Sequence, residues 1–332
     1  MSESPVKLPL VSEEAFFGHK ACGGCGGTIA LRLALKALGP RVFLGIPAGC
    51  MSAVSFLYPQ MALHVNAMIT PFAATAAVIS GMAAAVRALG LDDVHVVGFA
   101  GDGGTADIGL QALSGAIERR DRIMYICYDN EAYMNTGVQR SGLTPWGAST
   151  TTSHVGSRSR GAKTNKKDLF DIMVAHGIEY AATASVGYAR DYLRKIQLAA
   201  RVDGPSYIQV LAPCPTGWGT DSAKTIELAR KAVDTGLWPL RQYASGEYSV
   251  QHARRVPVDV REYTTMQGRF GHLDADDLGK IERDRDAMWN RIRSRIHSNT
   301  VERQRGAEAD QGASRVRKDS CVESRTEENC ND

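Results

Sequence analysis

The chain is short of net charge. Its 39 lysines and arginines nearly balance 36 aspartates and glutamates over 332 residues, a formal +3, too small an excess to argue for nucleic acid as a partner. What basic excess there is collects late, in Arg283-Asp284-Arg285 and Arg291-Ile292-Arg293-Ser294-Arg295, and reads as a solvated helix face and tail. An apolar leader is also lacking: Met1 to Glu14 is polar, so no secretory signal is expected. The longest apolar run, Thr70 to Leu89, is alanine-rich and carries Thr75, Ser80 and Arg87. It reads as a buried core helix with close-packing small residues, and no membrane span is expected. These absences place the chain in a reducing cytoplasm, where cysteines serve more often as metal ligands or catalysts than as disulfides. No internal repeat is visible, and the length allows one large or two ordinary domains.

What is present is an alternation of strand and helix patterns. After the polar leader (residues 1–17), C-G-G-C-G-G precedes a leucine-periodic helix stopped by Gly39-Pro40. Strand patterns follow at Arg41 to Ile46, Val94 to Ala100, Arg122 to Tyr128, Glu179 to Ala184 and Ser206 to Leu211. The continuous apolar run at Val94 suits a parallel strand buried on both faces. Helix patterns lie between them: the alanine-rich run, Ile108 to Ile117, one from Lys167, and Tyr188 to Arg201. The alternation predicts an α/β fold, a doubly wound parallel sheet, over residues 18–237. Glu131 to Lys167, rich in Asn, Gly, Ser and Thr, is a loop long enough to suggest function. From about Trp238 the pattern loosens into an arm with a charged helix around Asp276 to Ile296 (residues 238–297). The nearly all-polar residues 298–332 are expected to be disordered.

Two features carry chemistry. Gly101-Asp102-Gly103-Gly104-Thr105-Ala106 follows a strand and opens a helix, which also satisfies the loose dinucleotide pattern G-x-G-x-x-A. That pattern wants bare amides facing a pyrophosphate, whereas Asp102 would set a carboxylate against the phosphates unless a divalent cation bridged them. The ribose-binding acid should also lie about 20 residues on, and here the next strand ends later, at Asp129-Asn130. Asp102 and Asn130, at the carboxyl ends of adjacent strands, with the Ala132 carbonyl and two diphosphate oxygens, would complete an octahedral Mg²⁺ site. The plainer alternative is that Asp102 only N-caps its helix. The second feature is the cysteine set. Cys22 and Cys25 form C-G-G-C, Cys50 follows a strand, and Cys214 stands in A-P-C-P-T-G-W. An iron–sulfur cluster, a Cys₄ zinc site, a thioredoxin-like pair and unrelated buried cysteines all suit that spacing. Cys127 reads as a core residue; Cys321 and Cys330 are assigned no role.

The glycine turn resembles that of thiamine-diphosphate enzymes, G-D-G followed at an interval by Asn. More specifically, the chain resembles the β subunit of the 2-oxoacid:acceptor oxidoreductases, the pyruvate:ferredoxin oxidoreductase family. The matching segments are G-H-K-A-C-G-G-C-G at Gly18, G-D-G-G-T-A-D-I-G-L-Q-A-L-S-G at Gly101, Y-D-N-E-A-Y-M-N-T-G-V-Q-R-S-G at Tyr128 and A-P-C-P-T-G-W at Ala212. The resemblance runs from about Gly18 to Leu273. It implies one 4Fe–4S cluster on Cys22, Cys25, Cys50 and Cys214. It implies thiamine diphosphate approached by Gly101, Gly103 and Gly104, with Mg²⁺ on Asp102, Asn130 and the Ala132 carbonyl, and Asn135 directed toward thiazolium and substrate. The implied reaction is oxidative decarboxylation of a 2-oxoacid to an acyl-CoA and carbon dioxide, with coenzyme A as co-substrate and single electrons passing to the cluster. The implied partners are an α subunit completing the thiamine site, a γ subunit and a ferredoxin-like δ subunit, assembled as a dimer of the heteromer. A ferredoxin or a nicotinamide-linked subunit would be the acceptor. Thiamine is activated by a glutamate normally donated by a separate, paired domain, so the lone chain is expected to be inactive.

The chain departs from the pyruvate-type pattern in the segment His64 to Ala74, which reads H-V-N-A-M-I-T-P-F-A-A. Ala67, Ala73 and Ala74 stand where bulkier or polar groups are expected. If this segment lines the pocket, the substrate could exceed pyruvate in size, an aryl 2-oxoacid such as phenylglyoxylate; otherwise it only packs the core. Two further readings stay open: a nicotinamide-dependent dehydrogenase using the glycine turn, and a non-catalytic iron–sulfur scaffold subunit.

Overall fold

The computed structural model describes residues 14–254 and 256–326, with side chains through residue 300. Most of the polar leader, the Cys321 side chain and Cys330 lie outside the described part. In chain order the elements begin with α1 (Gly26–Leu38), β1 (Val42–Pro47), α2 (Cys50–Ser55), β2 (Asn66–Thr70) and α3 (Thr75–Ala88). Next come β3 (His95–Gly101), α4 (Asp102–Ala106), α5 (Leu110–Glu118) and β4 (Met124–Asp129). The long loop holds only a two-rung hairpin, β5 (Val155–Gly156) and β6 (Ser159–Arg160). Then follow α6 (Leu169–Ala175), β7 (Tyr180–Ser185), α7 (Ala189–Ala199), β8 (Ser206–Leu211), α8 (Pro215–Trp218) and α9 (Thr225–Asp234). The described chain closes with β9 (Leu240–Ala244), β10 (Glu247–Gln251), α10 (Arg261–Thr264) and α11 (Ala275–Thr326).

Among the described residues the main sheet has the order β10-β9-β7-β8-β4-β3-β1-β2. Its six strands from β7 to β2 are parallel. Strands β4, β7 and β8 are buried at every position, as parallel strands covered on both faces must be. α1 and α7 cover one face, where the Tyr192 hydroxyl donates to the Ala30 carbonyl at 3.2 Å. α3, α5 and α6 cover the other, joined there by Met288, Trp289 and Ile292 of α11. The doubly wound architecture is therefore as the alternation of patterns predicts. Chain direction across the sheet reverses at β1 and β3: β1 leads outward to β2, whereas β3 leads inward to β4. The crevice beyond that reversal is where open α/β sheets bind ligands.

Four local readings need correction. The apolar run from Thr70 is not one helix: Thr70 ends edge strand β2, and α3 starts only at Thr75, because Pro71 forces the preceding residue toward extended backbone. The helix of the glycine turn begins at Asp102 and includes Gly103 and Gly104, so these glycines lie inside its first turn. The segment after Trp238 is an antiparallel hairpin, β9–β10, which adds to the sheet through β7. Its short polar strands carry too little apolar alternation to announce themselves. The last helix continues past Ser298 to Thr326, through a stretch rich in Glu, Arg, Ala and Gln, which are good helix formers.

Arg241 of β9 ties the hairpin to α6. It is 6 % exposed and donates from both terminal nitrogens to Asp168 at 2.8 Å, while Asp168 also caps α6 by accepting from the Asp171 amide. Burial pushes the Asp168 carboxyl up, but Arg241 outweighs it and leaves it below its usual range. Because the Asp168 side chain keeps 40 % exposure, its replacement by Ala is expected to cost about 2 to 3 kcal/mol in urea unfolding, at the low end for a broken buried pair. The folded value is the depressed one, so this contribution is full above the ordinary carboxylate range. The gap between wild type and Asp168→Ala should close as pH falls below about 4.

Candidate active site

The crevice holds a cavity of about 270 Å³ whose walls come from the ends of three neighbouring parallel strands. Ala48, Gly49 and Cys50 follow β1; Gly101, Asp102, Gly103 and Gly104 follow β3. Tyr128 and the turn containing Asn130, Ala132, Tyr133, Met134 and Asn135 follow β4, and Phe72 closes one side. Parallel pairing of β3 with β4 sets Gly101 beside Tyr128, which carries Asp102 and Asn130 to the same edge. A larger groove of about 1050 Å³ lies between β10, α9 and α11 and includes none of the candidate cofactor-binding residues or cysteines.

Asp102 is fully buried, and Gly101, not Asp102, occupies the N-cap position. That position argues against the capping alternative. The carboxylate accepts a short hydrogen bond from the Ser141 hydroxyl. The end of the Asn130 amide stands 2.9 Å from Asp102 Oδ1 and 2.9 Å from the Ala132 carbonyl oxygen. With its nitrogen on that side the amide donates to both; with its oxygen there, three hard oxygens face one point, as a Mg²⁺ ion requires. Among the described residues Asp102 has no ion-pair partner. Burial and then Asp129 push its carboxyl well above the usual range.

Beside it lies a charge network that the sequence does not announce. Asp129 accepts from Lys166 Nζ at 2.8 Å and from Gln209 at 2.7 Å; Glu131 accepts from Lys166 at 2.6 Å and from Arg269. Burial lifts the Glu131 carboxyl, but Lys166 and Arg269 overcome it and hold it low. Two carboxylates and two cations make this network neutral. Lys166 comes from the long loop and Arg269 from beyond the hairpin, so only hindsight about ordinary-looking basic residues could have singled them out.

The glycines have a reason beyond phosphate approach. A Cβ on Gly103 would lie 2.4 Å from the Tyr133 ring, and one on Gly104 would lie 3.1 Å from Phe72. Tyr133 donates to Asp107 at 2.9 Å and to the Gly103 carbonyl at 3.2 Å, and its ring centroid is 6.0 Å from that of Phe72. Of the His64 to Ala74 segment, Phe72 reaches the cavity, whereas Ala67, Ala73 and Ala74 do not line it. Asn135 lines it and is exposed.

The cysteines arrive on separate elements. Cys25 caps α1, Cys50 opens α2, and Cys214 caps α8 at the end of β8. The Gly26 amide donates to the Pro213 carbonyl at 3.0 Å, and a Cβ on Gly26 would lie 2.5 Å from the Ala212 carbonyl carbon; only glycine lets the Cys25 and Cys214 turns meet. The Cys50 thiol is pushed up to about 12 by burial first, then by Cys214, Cys25 and Cys22, so the four share one electrostatic neighbourhood. Cys214 Sγ also accepts from the Gly217 amide at 3.4 Å, the kind of bond that tunes cluster ligands. Among the described residues no three His, Cys, Asp or Glu side chains are grouped closely enough to hold a metal ion. Cys127 is fully buried in β4, a core residue as expected.

Comparison with known proteins settles the family. Residues 47–210 match the thiamine pyrophosphate enzyme, C-terminal TPP binding domain. The ketoisovalerate oxidoreductase subunit VorB of Pyrococcus abyssi is 48% identical over 86% of this chain and 95% of its own. The pyruvate synthase subunit PorB of Methanothermobacter thermautotrophicus is 49% identical over 87% and 100%. The chain belongs to the β subunits of the 2-oxoacid:acceptor oxidoreductases. A solved 2-oxoglutarate:ferredoxin oxidoreductase from Magnetococcus marinus, with 2-oxoglutarate, coenzyme A and succinyl-CoA bound, matches with a TM-score of 0.51 at 20% identity. It covers 81% of this chain and 97% of that one, and that likeness speaks for the fold alone. No helix among the described residues is long and apolar enough to cross a membrane.

If Tyr133 packing is what demands glycine, Gly103→Ala should lower stability by about 1 to 2 kcal/mol in chemical unfolding. Gly104→Ala should cost less, since Phe72 need yield only slightly. Equal costs would refute the aromatic account.

Proposed function

We propose that this chain is the cofactor-bearing β subunit of a cytoplasmic 2-oxoacid oxidoreductase complex that converts a 2-oxoacid and coenzyme A to an acyl-CoA and carbon dioxide. The observation that carries the reading is Asp102: a buried carboxylate without a cation, its oxygen 2.9 Å from the Asn130 amide, in the same cavity as Cys50. A buried, uncompensated carboxylate is costly, and a divalent ion bridging it to a diphosphate removes that cost. The residues present fit the group. Asp102, the Asn130 side chain and the Ala132 carbonyl would hold Mg²⁺, and Gly101, Gly103 and Gly104 form the turn facing the diphosphate. Thiamine diphosphate, when bound, would supply the carbanion chemistry by which a 2-oxoacid loses carbon dioxide. Cys22, Cys25, Cys50 and Cys214 would ligate a 4Fe–4S cluster that accepts single electrons.

This chain's own residues set the surroundings of that chemistry. Ser141 holds the Asp102 carboxylate in orientation. Phe72, Tyr128, Tyr133 and Met134 give the cavity apolar and aromatic walls that exclude water from a reactive centre. Asn135 stands at the exposed mouth, placed to hydrogen-bond a substrate carboxylate. Tyr128 lies between the two sites: its ring meets Gly101, and its hydroxyl lies beside Gly49, next to Cys50. The apolar walls favour a 2-oxoacid with an uncharged side chain, pyruvate or a larger one such as phenylglyoxylate; relatives named for pyruvate and for ketoisovalerate are almost equally similar. The glutamate that activates thiamine would come from an α subunit, with a γ subunit, a ferredoxin-like δ subunit and a ferredoxin or nicotinamide-linked acceptor completing the path, as a dimer of the heteromer.

The complex purified without oxygen is expected to contain iron, thiamine and magnesium together, and Asp102→Asn should lose at least about 100-fold in thiamine diphosphate affinity while keeping its iron. Bound nicotinamide without thiamine would point to a dehydrogenase, and iron alone to a scaffold subunit. The isolated chain should show no oxoacid oxidation. The assembled complex, assayed with pyruvate, ketoisovalerate and phenylglyoxylate side by side, should rank them by kcat/KM, and measurable turnover by the isolated chain would refute the shared active site.

A further inference from the structure

Glu131 adopts φ +66, a conformation that L residues rarely take without compensation. It lies between the two residues whose oxygens face Asp102. A left-handed residue at this point reverses the chain locally, so that the Asn130 side chain and the Ala132 carbonyl come to the same place. Surrounding contacts secure three backbone groups of the turn. The Glu131 amide donates to Asp129 Oδ1 at 3.0 Å, the Glu131 carbonyl accepts from Thr144 at 2.7 Å, and the Asn130 carbonyl accepts from the Trp218 indole at 2.8 Å. The Glu131 side chain is gripped by Lys166 at 2.6 Å and by Arg269. Arg269 in turn stacks 3.8 Å above the Trp218 ring and donates to Gln267 at 2.8 Å. One guanidinium therefore holds the turn at two points, through Glu131 and through the indole bonded to Asn130.

We propose that Arg269 is a positioning residue for the cation site: by clamping Glu131 and Trp218 it keeps the strained turn in the one conformation that presents the Asn130 and Ala132 oxygens to the metal. This rests on the Mg²⁺–thiamine diphosphate reading above. None of Glu131, Trp218 and Arg269 lines the cavity. Loss of the clamp should therefore weaken cation binding and leave the chemistry at saturating metal little changed, in line with the about 10- to 100-fold effect of residues that orient metal ligands.

The test uses the assembled complex with Mg²⁺ or Mn²⁺ titrated in the presence of thiamine diphosphate, reading both bound Mn²⁺ by its paramagnetic signal and the metal constant for activity. Arg269→Met should raise the metal dissociation constant about 10- to 100-fold with kcat at saturating metal within about threefold of wild type. Arg269→Lys, which keeps the charge but not the planar stack, should fall between. Arg241→Met removes an equally buried guanidinium, also 6 % exposed, from the Asp168 pair, and should lower stability without moving the metal constant. An unchanged constant in Arg269→Met, or an equal rise in Arg241→Met, would overturn the clamp. If Arg269→Met fails to fold, Arg269→Lys with a wild-type constant overturns it equally. Absence of cation-dependent thiamine diphosphate binding in the wild-type complex would instead sink the underlying reading, and the clamp with it.

Discussion

At the carboxyl ends of β3 and β4 three carboxylates, Asp102, Asp129 and Glu131, leave water together, and only two cations, Lys166 and Arg269, accompany them. Removing one partner of such a set leaves an uncompensated buried charge, which is among the most costly single defects a core can carry. Much of the surrounding structure follows from that balance. The long loop must return far enough to deliver Lys166, and the chain beyond the hairpin must fold back to deliver Arg269. The remaining deficit falls on Asp102, whose side-chain hydrogen-bonding neighbours among the described residues are the neutral Ser141 and Asn130. Two acids are thus neutralised and the third is left facing the cavity, which is what supports the proposed cation site.

The same constraint explains why residues after the last parallel strand belong to the site. Trp218, Tyr263 and Phe270 form a small core of their own, and Arg269 lies sandwiched against Trp218 and Phe270. This cluster roofs the Asn130 turn and also abuts the Cys214 turn: a Cβ on Gly217 would fall 2.2 Å from Met134 Sδ. The cysteine neighbourhood and the cation neighbourhood thus share walls, with Tyr128 on one side and Met134 on the other. The proximity comes from glycines that let aromatic and thioether side chains close the gap.

Much of this was legible in the chain itself. The parallel strands declared themselves through continuous apolar runs, and β8 was read to its terminal residues. Asp102 and Asn130 could be paired because both follow buried strands, and register then set them side by side. Two kinds of feature were missed. Strands β2 and β10 form the sheet's edges, β9 lies next to β10, and all three are partly polar, so their pairing depends on neighbours and not on their own pattern. Tyr133, Ser141, Lys166 and Arg269 belong to residue types found on any surface, and nothing in their spacing marks them.

The physical division is between local and distant determinants. Periodicity, glycine turns and the C-x-x-C spacing act over a few residues, so the amino-acid sequence alone determined the α/β alternation, the cofactor turn and the cysteine set. Glu131 and Arg269 stand 138 residues apart, and the left-handed turn they maintain is favourable only once both are buried together. Which acids are neutralised, and which one is left without a cationic partner, is a property of desolvation, and desolvation exists only in the folded tertiary structure.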